Sequence, residues 1–285
     1  MKIQKLLMLA FALALFAGCA KKTDGAESSM SPGIPGSSES PEAPESSDSF
    51  EATMASKIQV IYPAENEGEL YGLEMSDYES GQSISNTIKA LATGERKTIV
   101  AYGTSLTALP GWVDAFKAVM AFKYGKNALV VNSAVSATDS NWGLQNIASR
   151  VLVFKPDLVF IEFGINDAYL EREITQSGAK QNLLDMINAI YEVNPDCEIV
   201  IMTMDIPLDG HFTARPEFEQ YYDVYREVAA ETGVILVDNH AAWKELLDES
   251  EEGYRNLVPD GIHPSQAGHE RVTLSAILDV LYDKR

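Results

Sequence analysis

Three residues of this chain, Ser105, Asp260 and His263, have side chains that together could carry out acyl transfer. A serine hydroxyl is a poor nucleophile unless a base accepts its proton, and the base needs an acceptor on its second nitrogen to fix its tautomer. Only two residues separate Asp260 from His263, so a single turn can place the carboxylate against one imidazole nitrogen while the other faces Ser105. The spacing therefore predicts a nucleophile, a base and an orienting acid.

Attack on an ester carbonyl also creates an oxyanion, which needs preorganised hydrogen-bond donors aimed at it. The backbone N–H groups of Ser105 and Ala137 and the side-chain amide of Asn166 are the candidate donors. We expect the neighbouring Asp167 to brace the loops around the site rather than to act as a second base. The remaining histidines, at positions 211, 240 and 269, form no cluster with metal-ligand spacing, so the sequence predicts neither a metal ion nor a cofactor.

The elements that must position these residues follow from the hydrophobic pattern. Short apolar runs rich in β-branched residues predict five buried strands, at 98–102, 128–132, 157–163, 198–204 and 234–238. Longer segments with apolar residues three to four apart predict helices at 112–122, 144–154, 180–193, 217–232 and 265–282, with a further helical pattern over 84–91. Buried strands that alternate with helices predict a parallel sheet covered on both faces.

The candidate site residues follow the strands of this sheet. In open parallel sheets the reactive groups lie on loops beyond the carboxyl ends of the strands. Ser105 follows the first predicted strand, Ala137 lies in the loop after the second, and Asn166 follows the third. Asp260 and His263 come just before the last helix. We expect Asp238 and Asn239, after the fifth strand, to cap the helix that follows.

The segments around Ser105, Ala137, Asn166 and the Asp260/His263 pair resemble the four sequence blocks of the SGNH (GDSL-like) hydrolase superfamily. The resemblance extends from about residue 98 to the C-terminus. It implies a three-layer α/β/α sandwich with a five-stranded, flavodoxin-like parallel sheet. It also implies ester hydrolysis without a metal, with Ser105 as the nucleophile and Asn166 as an oxyanion donor.

Two residues depart from the motifs of that superfamily. Thr104 stands where an aspartate is usual, and a threonine can still hydrogen-bond nearby. Ala137 stands where a glycine is usual, so a positive φ at this position would strain the loop. The α/β-hydrolase fold fits less well, because Thr107 replaces the last glycine of its Gly-x-Ser-x-Gly motif.

The N-terminal region predicts export and attachment to a membrane. Residues 1–18 have the basic start, short apolar stretch and small residues of a signal peptide, and Cys19 follows them as in a bacterial lipobox. An ordinary cleaved signal peptide with an incidental cysteine is the alternative. Residues 19–55 are rich in Ser, Pro, Gly and acidic residues, so they predict a disordered tether before a hydrolase domain at 56–285.

These features predict an extracytoplasmic, lipid-anchored esterase of a bacterial cell envelope. By analogy with the superfamily, its substrate is expected to be an acyl ester, with an acetylated glycan as the favoured class. A lipase or lysophospholipase, a glycan-binding protein without activity, and an acyltransferase are the alternatives. The formal net charge of −20 argues against a nucleic-acid partner, since binding to phosphates needs a basic surface.

Overall fold

The computed structural model of this protein describes residues 69–284. The predicted signal peptide, Cys19 and the tether lie outside this range, as do residues 56–68 of the predicted domain. Within residues 69–284, no helix is both long enough and apolar enough to span a bilayer.

The centre of the fold is a parallel sheet of five strands. A short hairpin, β1 (Glu69–Leu70) and β2 (Leu73–Glu74), precedes it. The sheet strands are β3 (Lys97–Gly103), β4 (Ala128–Asn132), β5 (Leu158–Glu162), β6 (Glu198–Thr203) and β7 (Ile235–Asp238). They lie in the order β4-β3-β5-β6-β7, and each predicted strand is confirmed to within one residue at either end.

Helices cover both faces of this sheet. Those of four residues or more are α1 (Asn86–Ala92), α2 (Ser105–Ala108), α3 (Trp112–Tyr124), α4 (Ser140–Arg150), α5 (Gly164–Asp167), α6 (Gln176–Val193), α7 (Asp209–Thr213), α8 (Phe218–Thr232), α9 (Asn239–Glu249), α10 (Glu251–Leu257) and, last in the chain, α12 (Ser275–Leu281). A short turn, α11 (Gln266–Gly268), and a π-helical stretch, His269–Leu274, precede α12. The predicted three-layer α/β/α sandwich is confirmed.

The side chains of the central strands alternate between two apolar cores. In β3, Ile99 and Ala101 belong to the core beneath α1, α3 and α12, whereas Val100 and Tyr102 belong to the core beneath α4, α6 and α8. Because successive residues of a strand point to opposite faces, a strand buried on both sides must be apolar throughout. This explains why the strands have no polar alternation in the sequence.

Three predicted helices differ from those in the structure. The helix predicted at 180–193 begins at Gln176, because the Thr175 hydroxyl accepts a hydrogen bond from the Gly178 N–H. The helix predicted at 144–154 begins at Ser140, because the Asp139 side chain accepts a hydrogen bond from the Trp142 N–H, and it ends at Arg150. The single helix predicted at 265–282 is divided by the π-helical stretch. An extra residue in a helical turn leaves the spacing of apolar residues almost unchanged, so periodicity does not report it.

The strand order brings the candidate site to one place. The chain leaves β3 toward β4 on one side of the sheet, and β5, β6 and β7 follow on the other side. A crevice forms beyond the carboxyl ends of the strands where the order reverses, here between β3 and β5. Ser105 follows β3 and Asn166 follows β5, so both lie at this switch point.

Candidate active site

Ser105 is the first residue of α2, directly after β3. Thr104 caps this short helix, since its hydroxyl oxygen accepts a hydrogen bond from the Leu106 N–H at 3.3 Å. Gly103 is required by close packing: a Cβ there would lie 2.5 Å from the Glu162 carbonyl oxygen. The serine is thus held at the point where a tightly packed strand turns into a helix.

The buried carboxyl group of Glu162, the last residue of β5, supports this turn. It accepts hydrogen bonds from the Thr104 N–H at 3.1 Å, from the Thr104 hydroxyl at 2.9 Å and from the Thr107 hydroxyl at 3.1 Å. The expectation that a threonine at position 104 can hydrogen-bond nearby is therefore confirmed. Glu162 is 1% exposed, and its burial raises its pKa to about 8 against the opposing effect of these hydrogen bonds.

The predicted base and acid lie together beside the serine. The Ser105 Oγ is 2.9 Å from His263 Nε2, and His263 Nδ1 is 2.7 Å from the Asp260 Oδ2. The other carboxylate oxygen of Asp260 accepts the backbone N–H groups of Ile262 at 3.0 Å and His263 at 2.7 Å. Partial burial works to raise the pKa of Asp260, but these hydrogen bonds outweigh it and lower the pKa.

This arrangement fixes the chemistry that the three side chains can perform. Because Asp260 accepts from Nδ1, the proton of a neutral His263 stays on that nitrogen and leaves Nε2 free to accept the Ser105 proton. The turn predicted from the two-residue spacing is therefore present. The structure brings Ser105, His263 and Asp260 into one continuous hydrogen-bonded row.

Two of the three predicted oxyanion donors lie in the segments that follow β4 and β5. Asn166 lies in α5, is 7% exposed, and donates one amide hydrogen to the Thr138 carbonyl at 2.8 Å. Ala137 lies in the loop after β4 and has a φ of 60°, the left-handed conformation that an alanine rarely adopts. Within residues 69–284, no hydrogen bond uses the backbone N–H of Ser105 or Ala137, so both remain available to a substrate.

Arg172 holds Ala137 in this left-handed conformation. Its Nη2 donates to the Ala137 carbonyl at 2.6 Å, while Nη1 lies 3.3 Å from a carboxylate oxygen of Asp139. Nearby, the Thr138 hydroxyl donates to the Val135 carbonyl at 2.7 Å, and the Val135 N–H donates to the Gly103 carbonyl at 3.0 Å. These bonds tie the Ala137 loop to the end of the strand that carries the serine.

Asp167 braces the loops, as the sequence predicts. Its carboxyl accepts the Ser140 N–H at 2.8 Å, which joins α5 to the start of α4, and its burial raises its pKa to about 7.

The prediction for Asp238 and Asn239 is wrong. Asp238 makes no capping hydrogen bond and instead accepts from Thr203 and Arg226, whereas the Asn239 amide donates to the Thr203 carbonyl.

Sequence reasoning missed three residues whose side chains contact the segments of the site: Glu162, Arg172 and Arg215, the last of which donates from Nε to the Ile165 carbonyl at 2.9 Å. Glu162 left one signal, because it is an acidic residue at the carboxyl end of an otherwise apolar strand. Arg172 and Arg215 left none: Arg172 ends a one-turn 3₁₀ helix, Leu170–Arg172, between α5 and α6, and Arg215 lies in the loop between α7 and α8. Their contacts arise only from the folded arrangement.

Comparison with known proteins gives a consistent family. The sequence from residue 99 to residue 271 matches the GDSL-like Lipase/Acylhydrolase family. An acetylxylan esterase of Geobacillus stearothermophilus is 29% identical over 152 residues, 49% of this chain and 66% of that protein. An acetylxylan esterase of Xylanibacter ruminicola is 25% identical over 250 residues, 74% of this chain and 49% of that protein. Esterase TesA of Pseudomonas aeruginosa is 27% identical over 183 residues, 62% of this chain and 84% of that protein.

The chain therefore spans less than two thirds of the length of either acetylxylan esterase. Among solved structures, the acetylxylan esterase Axe2 of Geobacillus stearothermophilus has a TM-score of 0.58 and 24% identity, covering 67% of this chain and 96% of its own. An alpha/beta hydrolase enzyme from the metagenome of Lake Arreo has a TM-score of 0.58 and 21% identity, covering 66% and 96%. These structures share the fold of this chain.

Proposed function

Because this chain belongs to the GDSL-like lipase/acylhydrolase family, we propose that it hydrolyses esters through Ser105, His263 and Asp260. The observation that carries the proposal is the hydrogen-bonded row of these three side chains, with distances of 2.9 and 2.7 Å. A glycan-binding protein without activity would have no need of this alignment. Retention of the row therefore favours catalysis over binding alone.

The proposed reaction proceeds in two steps. His263 Nε2 accepts the proton of Ser105 as the serine oxygen adds to the ester carbonyl, and Asp260 stabilises the resulting imidazolium. The oxyanion is bound by the Ser105 and Ala137 N–H groups and the Asn166 amide. His263 then gives the proton to the leaving alcohol. A water molecule, deprotonated by the same histidine, adds to the acyl-serine, and His263 returns the proton to the Ser105 oxygen as the acid leaves.

We infer that the acyl group is short and that the alcohol is a carbohydrate. Two relatives named acetylxylan esterases support this preference, and the match to esterase TesA supports ester hydrolysis more generally. A lipase or lysophospholipase would use the same three residues on longer acyl chains. An acyltransferase would replace the water of the second step with a sugar hydroxyl.

The test is the initial rate of the purified full-length protein on p-nitrophenyl acetate, p-nitrophenyl octanoate and an acetylated xylo-oligosaccharide. We expect Ser105→Ala and His263→Ala to abolish hydrolysis of all three esters, by factors of about 10⁴ or more. Ser149→Ala, which removes an exposed hydroxyl of α4 outside the site, serves as the matched control. Activity that survives Ser105→Ala would refute the mechanism, and a preference for octanoate would favour the lipase.

We further propose that the protein works outside the cytoplasm, anchored through a lipid on Cys19. The basic start, short apolar stretch and small residues before this cysteine support the proposal. Metabolic labelling with palmitate in the native bacterium tests it. Label in the unmodified protein and none after Cys19→Ala is the expected result, whereas an unlabelled protein found in the medium would favour an ordinary cleaved signal peptide.

A further inference from the structure

Arg215 is a buried cation next to the proposed oxyanion donor Asn166. The residue lies between α7 and α8 and is 8% exposed. Its Nε donates to the Ile165 carbonyl at 2.9 Å, and its Nη2 lies 3.4 Å from the Asn166 Oδ1. The guanidinium also stands over the ring of Tyr169, 4.8 Å from the centroid. All three contacts are with α5 or the residues that follow it.

The buried Asp205 is the carboxyl that acts on this guanidinium, but it lies beyond ion-pair distance, and burial raises its pKa well above the ordinary value. The ion pairs formed among residues 69–284 do not include Arg215. Burying a charge without a counter-ion is costly. An arginine cannot avoid that cost by losing its proton, because its guanidinium stays protonated in proteins. By contrast, Arg226 and Arg255 each lie within 2.9 Å of a carboxylate oxygen on the protein surface. A buried, unpaired arginine therefore calls for a functional reason.

Contacts at both ends of the Asn166 amide, Nδ2 and Oδ1, give such a reason. One hydrogen of Nδ2 is bound by the Thr138 carbonyl, which leaves the second hydrogen for a substrate. The Oδ1 end faces the guanidinium. If the amide rotated by 180°, its oxygen would meet the Thr138 carbonyl and its nitrogen would meet a cation. Arg215 and Thr138 thus allow a single orientation, in which the second N–H of Nδ2 is left without a partner among residues 69–284.

We propose that Arg215 is a positioning residue for the oxyanion, acting through the Asn166 amide. The positive charge at Oδ1 withdraws electron density through the conjugated amide, so the free Nδ2–H becomes a stronger donor. Such a donor is worth most when negative charge develops on the substrate carbonyl, which is the requirement for lowering a barrier. The inference rests on the proposed ester hydrolysis at Ser105.

The kinetic test is a double-mutant cycle between Arg215 and Asn166 in the full-length protein. Arg215→Met keeps the side-chain length without the charge, and we expect kcat on p-nitrophenyl acetate to fall about 10- to 100-fold with KM changed less than threefold. In the Asn166→Ala background the same substitution should lower kcat less than threefold, because the amide through which it acts is gone. An equal loss in both backgrounds, or an unchanged kcat, would overturn the proposal.

Arg215→Lys covers the case in which the methionine variant does not fold. A lysine keeps the charge but has a single donor group, so it cannot bind both the Ile165 carbonyl and Oδ1 with the geometry of the guanidinium. We expect a kcat between those of the unmodified protein and Arg215→Met, again with little further effect in the Asn166→Ala background. A lysine variant with a normal kcat would refute the need for a guanidinium that donates to both the Ile165 carbonyl and the Asn166 Oδ1.

A second test uses thermal unfolding and needs no enzymatic activity. Asn166→Asp places a carboxylate beside Arg215 but also replaces the N–H that the Thr138 carbonyl accepts, so we expect a moderate fall in Tm. In the Arg215→Met background the same substitution buries an unpaired carboxyl group, and the Tm should fall clearly further. Equal shifts in the two backgrounds would refute the contact. If Ser105→Ala left hydrolysis intact, the proposed function would fail while this unfolding cycle still reported on Arg215.

Discussion

The two sides of Ser105 are built in different ways. On the sheet side, Glu162 is 1% exposed and Asn166 is 7% exposed, and both contact other loops of the site through hydrogen bonds. On the opposite side, the side chains of His263 and Asp260 are 35% and 51% exposed. Their mutual hydrogen bonds all lie within four consecutive residues.

This difference predicts that the reaction depends mainly on the exposed side of the site and that the stability of the fold depends mainly on the buried side. Ile262 of the 260–263 turn is buried in the core, but the Asp260 and His263 side chains are exposed, so changes to these two should alter the reaction more than the fold. The buried side joins β3 to β5 through Glu162, and a change there should alter folding and its pH dependence as well. The predictions below test this division.

The largest expected effect is on the exposed side. Asp260→Asn keeps the Oδ1 that accepts the two backbone N–H groups but replaces the Oδ2 that accepts from His263 Nδ1 with an amide N–H. His263 should then adopt the other tautomer, with its proton on Nε2 toward Ser105, and kcat should fall by about 10⁴. The unfolding free energy should change by less than about 1 kcal/mol, since the side chain is half exposed.

The measurements are kcat on p-nitrophenyl acetate and thermal unfolding of the same preparations. Asp248→Asn is the matched control, because within the described part of the chain this exposed carboxylate pairs only with Lys244, on the outer surface of α9. It should leave kcat unchanged. A loss of less than tenfold in Asp260→Asn would mean that the base does not need this carboxylate to fix its tautomer.

The next effect is on the buried side and appears as a pH dependence of stability. The folded pKa of Glu162 is about 8, whereas its ordinary value is 4.5, so between these values the folded state holds a proton that the unfolded state has lost. The unfolding free energy must therefore fall as the pH rises, by up to about 1.4 kcal/mol per pH unit for one proton. Glu162→Gln should remove this contribution.

The window from about pH 6.5 to 8 isolates the carboxyl groups. The folded pKa of His269 is about 4, because burial lowers it, so this histidine opposes the trend only below its ordinary value of 6.5. Asp167, with a pKa of about 7, adds to the slope in both proteins.

Urea unfolding across the window should show a shallower slope in Glu162→Gln. Asp209→Asn is the control, since its pKa is lowered by Arg255 and it stays ionised throughout. Identical slopes in the Gln variant and the unmodified protein would show that Glu162 titrates normally.

The sequence predicted the elements of this site better than the forces between them. Five strands were recognisable because strands buried on both faces are short, continuous apolar runs, and the Asp260/His263 turn was recognisable because both partners lie within four residues. Glu162 supports the serine only because Gly103 pairs with Glu162 in the register of β3 and β5. A register that pairs position 103 with position 162 leaves no periodic signal in one sequence.

Arg215 illustrates a second limit. Its partners Ile165 and Asn166 are 50 and 49 positions away along the chain, and it lies between two helices. In a sequence it is one of 22 basic residues, and nearly all arginines are expected on the surface. Only burial without a counter-ion distinguishes it, and burial at a loop position cannot be read from hydrophobic periodicity.

The smallest expected effect concerns Ala137, which stands where the superfamily motif usually has a glycine. Its φ in the structure is 60°. An L-residue in this conformation costs about 1–2 kcal/mol, and Ala137→Gly removes that cost while making the unfolded chain more flexible by about 0.4–1 kcal/mol. We expect a net gain of up to about 1 kcal/mol in unfolding free energy, with kcat within about twofold because the N–H is unchanged.

Ala134→Gly is the matched control: this neighbour has no positive φ, so the substitution should only destabilise. Equal losses of stability in the two variants would mean that the Arg172 hydrogen bond, rather than a strained backbone, sets the energy of this loop.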